Sequence, residues 1–204
     1  MDGTMKTKTE AKRRQILEVA AEVFRESGFE RTSMAQICSR VGGSKATLYN
    51  YFPSKEELFL EVMLDSTRGQ FEAALALLDT PEQPVRQALQ NFGEKLLPLI
   101  YSPDLLASRR LMIAEATRSD IGRACYDKSR GKGERLIAGF LQRSADAGRL
   151  RPLDAAIAAS QLLALLEAEF FDRIYDPDLQ PLSAAQIQAA TSRALDVFPA
   201  AYGV

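Results

Sequence analysis

Between positions 44 and 55 the sequence SKATLYNYFPSK sets Ser44, Lys45, Thr47, Tyr49, Asn50, Tyr51 and Lys55 within about three helical turns. All seven can donate hydrogen bonds, and none is an acid. On a helix, Leu48 and Phe52 fall four apart on one face, which leaves Lys45, Ala46, Thr47, Tyr49, Asn50 and Tyr51 for the other. Such a face suits an extended polyanion. Hydroxyl and amide groups can bond phosphate oxygens, Lys45 can reach a phosphate or guanine O6/N7, and Ala46 permits close approach to a groove. The competing assignment for Tyr49 and Tyr51 is core packing, but Leu48 and Phe52 already occupy the core-facing positions. Lys55 opposes the dipole of the helix that it opens. A lysine beside exposed N–H groups suits a phosphate better than it suits the helix.

Other chemistries find little support. The chain has no His, which removes Ser-His-Asp and Cys-His catalysis and every His-containing metal site. Cys38 and Cys125 cannot supply a zinc tetrad and do not form a disulfide scaffold, so no metal and no cofactor is expected. Cys38 reads as a small buried group. Nothing in the sequence around Cys125 signals the lowered thiol pKa of a redox sensor. A reducing cytosol is the expected compartment. No run of 18 apolar residues occurs, so no membrane span is expected, and the polar start MDGTMKTKTEAKRRQ lacks the apolar region of a signal peptide. With 204 residues, 46% hydrophobic and 26% charged, the chain has the composition of an ordinary globular protein of one or two domains.

The elements that must hold these residues are helices. Nearly every segment has helical period, and strand-like alternation is absent. Helix starts are marked at Ser33-Met-Ala-Gln36, Ser54-Lys-Glu-Glu57, Thr80-Pro-Glu-Gln83 and Ser183-Ala-Ala-Gln186, each a capping-box pattern, and at Ser102-Pro103. Pro53 with Leu58, and Leu182 with Ile187, add hydrophobic staples. The first helix spans about 10–27, with Ile16, Leu17, Ala20, Val23 and Phe24 on one stripe and Gly28 as its stop. Short helices follow at 34–41 and 44–51, joined by Gly42-Gly43. A long helix runs from Lys55 to about Leu78. Further helices are expected at about 81–100, 103–117, 119–147 (with a break at Gly131 or Gly133), 153–174 and 183–199. The fold class is therefore all-α, with about nine helices.

The net charge of −1 averages two unlike parts. Residues 6–55 hold ten Lys/Arg and five acids, a net +5, which leaves −6 for the remainder. A basic module on an acidic body suggests two jobs in one chain. Two short helices behind a longer one and a basic arm describe a helix-turn-helix. The segment from Ile16 to Leu60, with TSMAQICSRVGGSKATLYNYFPSKEEL at positions 32–58, resembles the DNA-binding domain of the tetracycline-repressor (TetR) family. Two positions depart from that pattern. Gly43 stands where a bulkier apolar residue is common, which would loosen the turn, and Ala46 stands where Gly is common, which would alter base contacts.

The resemblance implies a DNA-binding domain over 1–53 and a helical ligand-binding and dimerisation domain over 54–204. It implies that Lys45, Ala46 and Tyr49 face base edges. Ser33, Ser44, Thr47, Asn50, Tyr51 and Lys55 would hold phosphates, and the arm from Lys6 to Arg14 would lie against the backbone or minor groove, unless it is a solvated tail. The stretch from Pro98 to Leu166 is similar to an AefR-type C-terminal domain. On its own evidence, this half has a helix apolar on most faces (Leu153 to Ile174) and a last helix with Ile187, Ala190, Ala194, Leu195 and Phe198 on one stripe. Two such helices from each protomer would make a four-helix dimer interface. A ligand cavity would lie among Phe71, Leu75, Phe92, Leu96, Tyr101, Met112, Tyr126 and Phe140, although the same aromatics suit an ordinary core. Glu115 would contact the ligand or pair with Arg109, Arg110 or Arg118. The function that follows is a cytoplasmic, ligand-responsive repressor, not an enzyme. It would bind a palindromic double-stranded operator as a homodimer and be released by a small-molecule inducer. The rival is a helical enzyme or ligand carrier with an incidental helix-turn-helix, which no acid–base or nucleophile constellation supports.

Overall fold

The computed structural model describes residues 2–79, 83–117, 120–176 and 180–203, with side chains from residue 9 onward. Among the described residues there are ten α-helices and no strand. They are α1 (Asp2–Arg31), α2 (Met34–Val41), α3 (Lys45–Tyr51), α4 (Lys55–Ala76), α5 (Val85–Ile100), α6 (Pro103–Glu115), α7 (Ile121–Lys128), α8 (Arg130–Asp146), α9 (Ala155–Glu167) and α10 (Ala184–Tyr202). A 3-10 turn, Phe171–Tyr175, lies between α9 and α10. The helical path of α1 breaks at Gly28, where φ is 74°.

The helix starts follow the capping chemistry. The hydroxyls of Ser33, Ser44, Ser54, Ser102 and Ser183 each accept a backbone N–H of the first turn that they open. At Ser183 the Gln186 side chain returns the bond to the cap backbone, completing the box. The start expected at Thr80 falls on residues 80–82, outside the described ones. Helix α5 begins at Val85 rather than near 81, with Pro84 at its N-cap. Gln83 precedes that proline, and the proline ring disfavours helical backbone at the residue before it.

Three more boundaries differ from expectation. Helix α1 begins at Asp2 rather than near residue 10, so the backbone of the basic arm is helical. The long segment over 119–147 does break, but at Ser129 (φ −105°, ψ −93°); Gly131 and Gly133 lie inside α8. The Ser129 hydroxyl donates to Cys125 O across 2.7 Å and closes the end of α7. The helix expected to reach Ile174 ends at Glu167. There the chain turns to bury Phe170 against Tyr101, with ring centroids 5.6 Å apart. The guanidinium of Arg110 then donates to Ile174 O (2.6 Å), Asp176 O (2.9 Å) and Arg173 O (3.3 Å). Those carbonyls find in Arg110 the donors that a continued helix would have given them.

The apolar stripes converge on two cores. The first joins Ile16, Ala20, Val23 and Phe24 of α1, Ile37 and Val41 of α2, Leu48 and Phe52 of α3, and Leu58, Phe59, Leu60 and Val62 of α4. The second is larger and joins α5, α8, α9 and α10, with Ala74 from the far end of α4. In it α5 lies against α10, and α8 against α9. Close approach of α5 and α10 depends on Gly93. A Cβ there would stand 2.7 Å from Thr191 Cγ2 and 2.9 Å from Leu166 Cδ2. Gly93→Ala should therefore destabilise the protein by about 1–3 kcal/mol, despite the better helix propensity of alanine. The urea midpoint measures this, and a gain in stability would show that the two helices do not pack so tightly.

Candidate nucleic-acid interface

Helix α3 is a thin element pinned by two residues. Leu48 and Phe52 are buried in the first core, while Lys45, Ala46, Tyr49 and Asn50 are exposed. Tyr49 keeps 47% of its surface in solvent, so core packing is not its role. Tyr51 is half-buried and leans on the first core. Ser44 Oγ accepts Thr47 N–H at 3.1 Å, and its hydroxyl lies 2.9 Å from that of Thr47. Ser33 caps α2 in the same manner, at 3.2 Å from Gln36 N. Ser33 and Ser44, at the starts of the two short helices, are exposed, as are Lys45, Tyr49 and Asn50 on α3.

The turn between those helices is braced from several sides. Gly42 and Gly43 adopt φ of 70° and 115°, a region that L side chains rarely enter. The conformation at Gly43 is therefore what glycine supplies, and a bulkier residue would strain it. Lys12 Nζ donates to Gly42 O at 3.3 Å, Gln15 Nε2 to Val41 O at 3.5 Å, and Cys38 Sγ to Gly43 O at 3.7 Å. The loosening expected from the second glycine is countered by these contacts.

Lys55 has an internal destination that sequence reasoning missed. Its ammonium donates to Phe29 O at 2.9 Å and Glu30 O at 3.5 Å, and it sits 4.2 Å from the centre of the Phe29 ring. Phe29 in turn packs on Phe59 and Phe24.

Glu61, on α4, was also missed. It lies nearly buried between both halves of the molecule and accepts from Arg13 of α1 and Lys128 of α7. Arg13 also stands over the Phe52 ring, 5.3 Å from its centre. Burial raises the Glu61 carboxyl, but Lys128 and Arg13 lower it further, and the net shift is downward from the ordinary 4.5. A shallow groove of about 190 Å³ lies beside it, lined in part by Glu57, Leu64, Asp120 and Ile121. Cys125, on the same wall, belongs to the first core, and burial pushes its thiol up to about 11. That is the opposite of a reactive sensor thiol.

The nine residues proposed from sequence for a ligand cavity do not form one cluster. Phe92, Leu96, Tyr101 and Phe140 are buried together in the second core, with Phe71 and Leu75 half-buried against it. Met112 packs instead on the first core. Tyr126 is exposed, and its hydroxyl donates to Glu134 at 3.2 Å. Glu115 is half-buried at the end of α6. Its expected partners Arg109 and Arg110 bind Glu167 and the 3-10 turn, respectively, and Arg118 lies outside the described residues.

The buried carboxylate of this half is Glu167, only 5% exposed. It accepts from Arg109 at 2.8 Å, from Arg130, and from Tyr101 Oη at 3.3 Å. Burial, then the Glu167 charge, pushes the Tyr101 phenol up to about 12. An acid within the apolar run LLALLEAEFF was the available signal for this cluster. A second groove, of about 360 Å³, crosses the outer faces of α9 and α10 between Gln161, Ala164, Leu165, Val197, Phe198, Ala201 and Tyr202.

Residues 16–62 match the family described as bacterial regulatory proteins, tetR family, and residues 87–204 match the AefR-like transcriptional repressor C-terminal domain. The chain belongs to the TetR family. It is a transcriptional regulator with a helix-turn-helix DNA-binding domain, not an enzyme. It is 30% identical over 151 residues to the HTH-type transcriptional regulator RutR of Escherichia coli K12, an alignment covering 71% of this chain and 66% of RutR. A crystal structure of a TetR-family transcriptional regulator from Mesorhizobium loti MAFF303099 superposes with a TM-score of 0.81 at 28% identity, over 96% of this chain and 98% of that one. The flavonoid-responsive regulator FrrA superposes with a TM-score of 0.69 at 28% identity, over 95% and 98%. Among the described residues, no helix of this TetR-family chain is long and apolar enough to cross a membrane.

The link at Glu61 has a pH signature. Its folded pKa is depressed, so its contribution to stability is complete above about pH 4.5 and is lost as pH falls through the folded value. Glu61→Gln lacks this contribution. The gap in urea midpoint between wild type and Glu61→Gln should be widest near neutral pH and should narrow below about pH 4.5. A gap that does not change with pH would show that the Arg13 and Lys128 pairings contribute nothing.

Proposed function

We propose that this chain is a cytoplasmic repressor that binds a pseudo-palindromic duplex operator as a homodimer and is released by a small-molecule inducer. The observation that carries the reading is the exposed face of α3, rich in donors and free of acids, over the buried anchors Leu48 and Phe52. Lys45, Ala46 and Tyr49 meet base edges; Ser33, Ser44, Thr47, Asn50 and Tyr51 hold the phosphates that set register. Lys55, its ammonium already engaged, stands behind them. Residues 1–53 read DNA, and residues 54–204 bind inducer and dimerise, with α4 of the second segment packed into the cores of both.

The dimer interface is the outer face of α9 and α10. Ile157, Gln161 and Ala164 on α9, and Arg193, Val197 and Ala201 on α10, are exposed. Small side chains there allow close helix approach, and a two-fold axis would place two α3 helices about 34–36 Å apart, in successive major grooves. The inducer site is the region where Phe71, Leu75, Phe92, Leu96, Tyr101 and Phe140 converge. FrrA, of the same fold, is described as flavonoid-responsive, which supports a small-molecule effector. Release requires that the inducer bind more tightly to the arrangement of α4 that separates the two reading heads wrongly.

A gel shift on the DNA flanking the chain's own gene, repeated with a reporter in cells, tests the whole reading. No retarded complex with that DNA, or activation rather than repression, would overturn it. Tyr49→Phe should leave the fold intact and weaken operator binding by about 0.5–1.5 kcal/mol per half-site, read from the same titration. Val197→Asp, which sets a charge on each side of the proposed two-fold interface, should convert the dimer to monomer in sedimentation. An unchanged dimer would place the interface elsewhere.

A further inference from the structure

Phe52 ends α3, and Arg13 of α1 rests on it. The Phe52 ring is buried, its backbone N–H donates to Leu48 O at 3.0 Å, and the Arg13 guanidinium carbon lies 5.3 Å from the ring centre. A guanidinium over a ring face is held by the ring quadrupole, and the attraction falls as the cation leaves the face. Whatever sets the position of Arg13 therefore acts on the end of α3.

That position is set by Glu61, and Glu61 is shared. One carboxylate oxygen, Oε2, accepts from Arg13 Nη2, and the other, Oε1, accepts from Lys128 Nζ in the last turn of α7. An arginine with a carboxylate to itself takes both oxygens with its fork. Arg193 does so with Glu169, its Nε and Nη2 standing 2.7 and 2.6 Å from the two oxygens. Lys128 denies Arg13 that arrangement. The guanidinium meets Glu61 through one nitrogen and keeps its place over Phe52.

We propose that Lys128 of α7 is a positioning residue for the DNA-reading helix: by occupying one oxygen of Glu61 it holds Arg13 on Phe52 and so fixes the end of α3. A shift of α7 away from α4 withdraws the ammonium, returns both oxygens to Arg13 and draws the guanidinium off the ring. The C-terminal half thereby acts on α3 through three side chains, without any bend in α4. The proposal rests on the operator-binding reading above, but part of its test needs no DNA.

The Lys128 side chain is 57% exposed, so Lys128→Met removes the ammonium without opening a core. Amide hydrogen exchange is read on the free full-length protein. The Phe52 amide of Lys128→Met should exchange at least about threefold faster than in wild type, while that of Ile37, which donates to Ser33 O in the same core, keeps its rate. Equal acceleration of both amides, or of neither, would overturn the proposal. Lys128 acts through Glu61, so adding Lys128→Met to Glu61→Gln should change the Phe52 rate no further. If Glu61→Gln does not fold, Arg13→Met serves as the background with the same expectation. A further acceleration in either background would also overturn the proposal.

The second arm is a double-mutant cycle on a duplex that the wild-type full chain selects from random-sequence DNA. Lys128→Met should weaken binding about three- to tenfold in wild type and leave it unchanged in the Glu61→Gln or Arg13→Met background. A lysine that met phosphate itself would lose the same affinity in both backgrounds, and equal losses would overturn the proposal. Failure of the wild type to select any duplex would count against the operator reading alone, because the exchange result stands apart from it.

Discussion

Both cores are built on α4, and this sharing constrains everything else. Leu58, Phe59, Leu60 and Val62 belong to the core that seats α3, whereas Ala74, with Phe71 and Leu75 at its edge, belongs to the core of the C-terminal half. A helix is stiff over this length, so α4 cannot tilt at one end without a response at the other. The burial of four large side chains at its first turns also means that α4 cannot simply slide free of the DNA-reading unit. Movement there would carry α1 and α3 along as a body. Cys125 and its neighbour Ile121 reinforce this, since α7 inserts into the first core rather than lying beside it.

Polar contacts are placed where that mechanical link needs definition. Apolar packing holds α1, α4 and α7 together but specifies their relative positions loosely. The Glu61 carboxylate, shared by Arg13 and Lys128, fixes them because a nearly buried acid without its partners is costly. The C-terminal half repeats the device with Glu167, which Arg109, Arg130 and Tyr101 reach from α6, α8 and the end of α5. Replacing one partner there leaves a buried charge behind, so the cluster selects one arrangement of four helices over nearby alternatives.

The sequence was most legible where local rules act. The N-caps at Ser33, Ser44, Ser54, Ser102 and Ser183, the stop at Gly28 and the Leu48–Phe52 anchor depend on neighbours within a turn, and all lie where spacing and side-chain chemistry put them. Boundaries governed by distant groups were not legible. The end of α9 depends on Arg110, more than fifty residues away, and the break at Ser129 replaced a glycine break that no packing required. Lys55 shows the same limit in the site itself. Its charge at a helix start was readable as unusual, but the partner that explains it, the end of α1, is 25 residues back in the chain. Glu167 is one of several acids in the C-terminal half, and periodicity cannot say that it is the one that meets Arg109 and Arg130.

The charge of the DNA-reading module takes on a different meaning once its partners are known. A net +5 over residues 6–55 suggests a strongly electrostatic grip on phosphate. Yet Lys12, Arg13, Arg31, Arg40 and Lys55 each bond a partner within the chain, and the exposed face of α3 keeps Lys45 among neutral donors. Affinity that comes from hydroxyls and amides depends on geometry more than on counterion release, because each bond forms only at hydrogen-bond distance. Such an interface tolerates salt but not misplacement. In the proposed release by a small shift of α4, contacts of that kind are lost more sharply than long-range attraction, which would persist across the displacement.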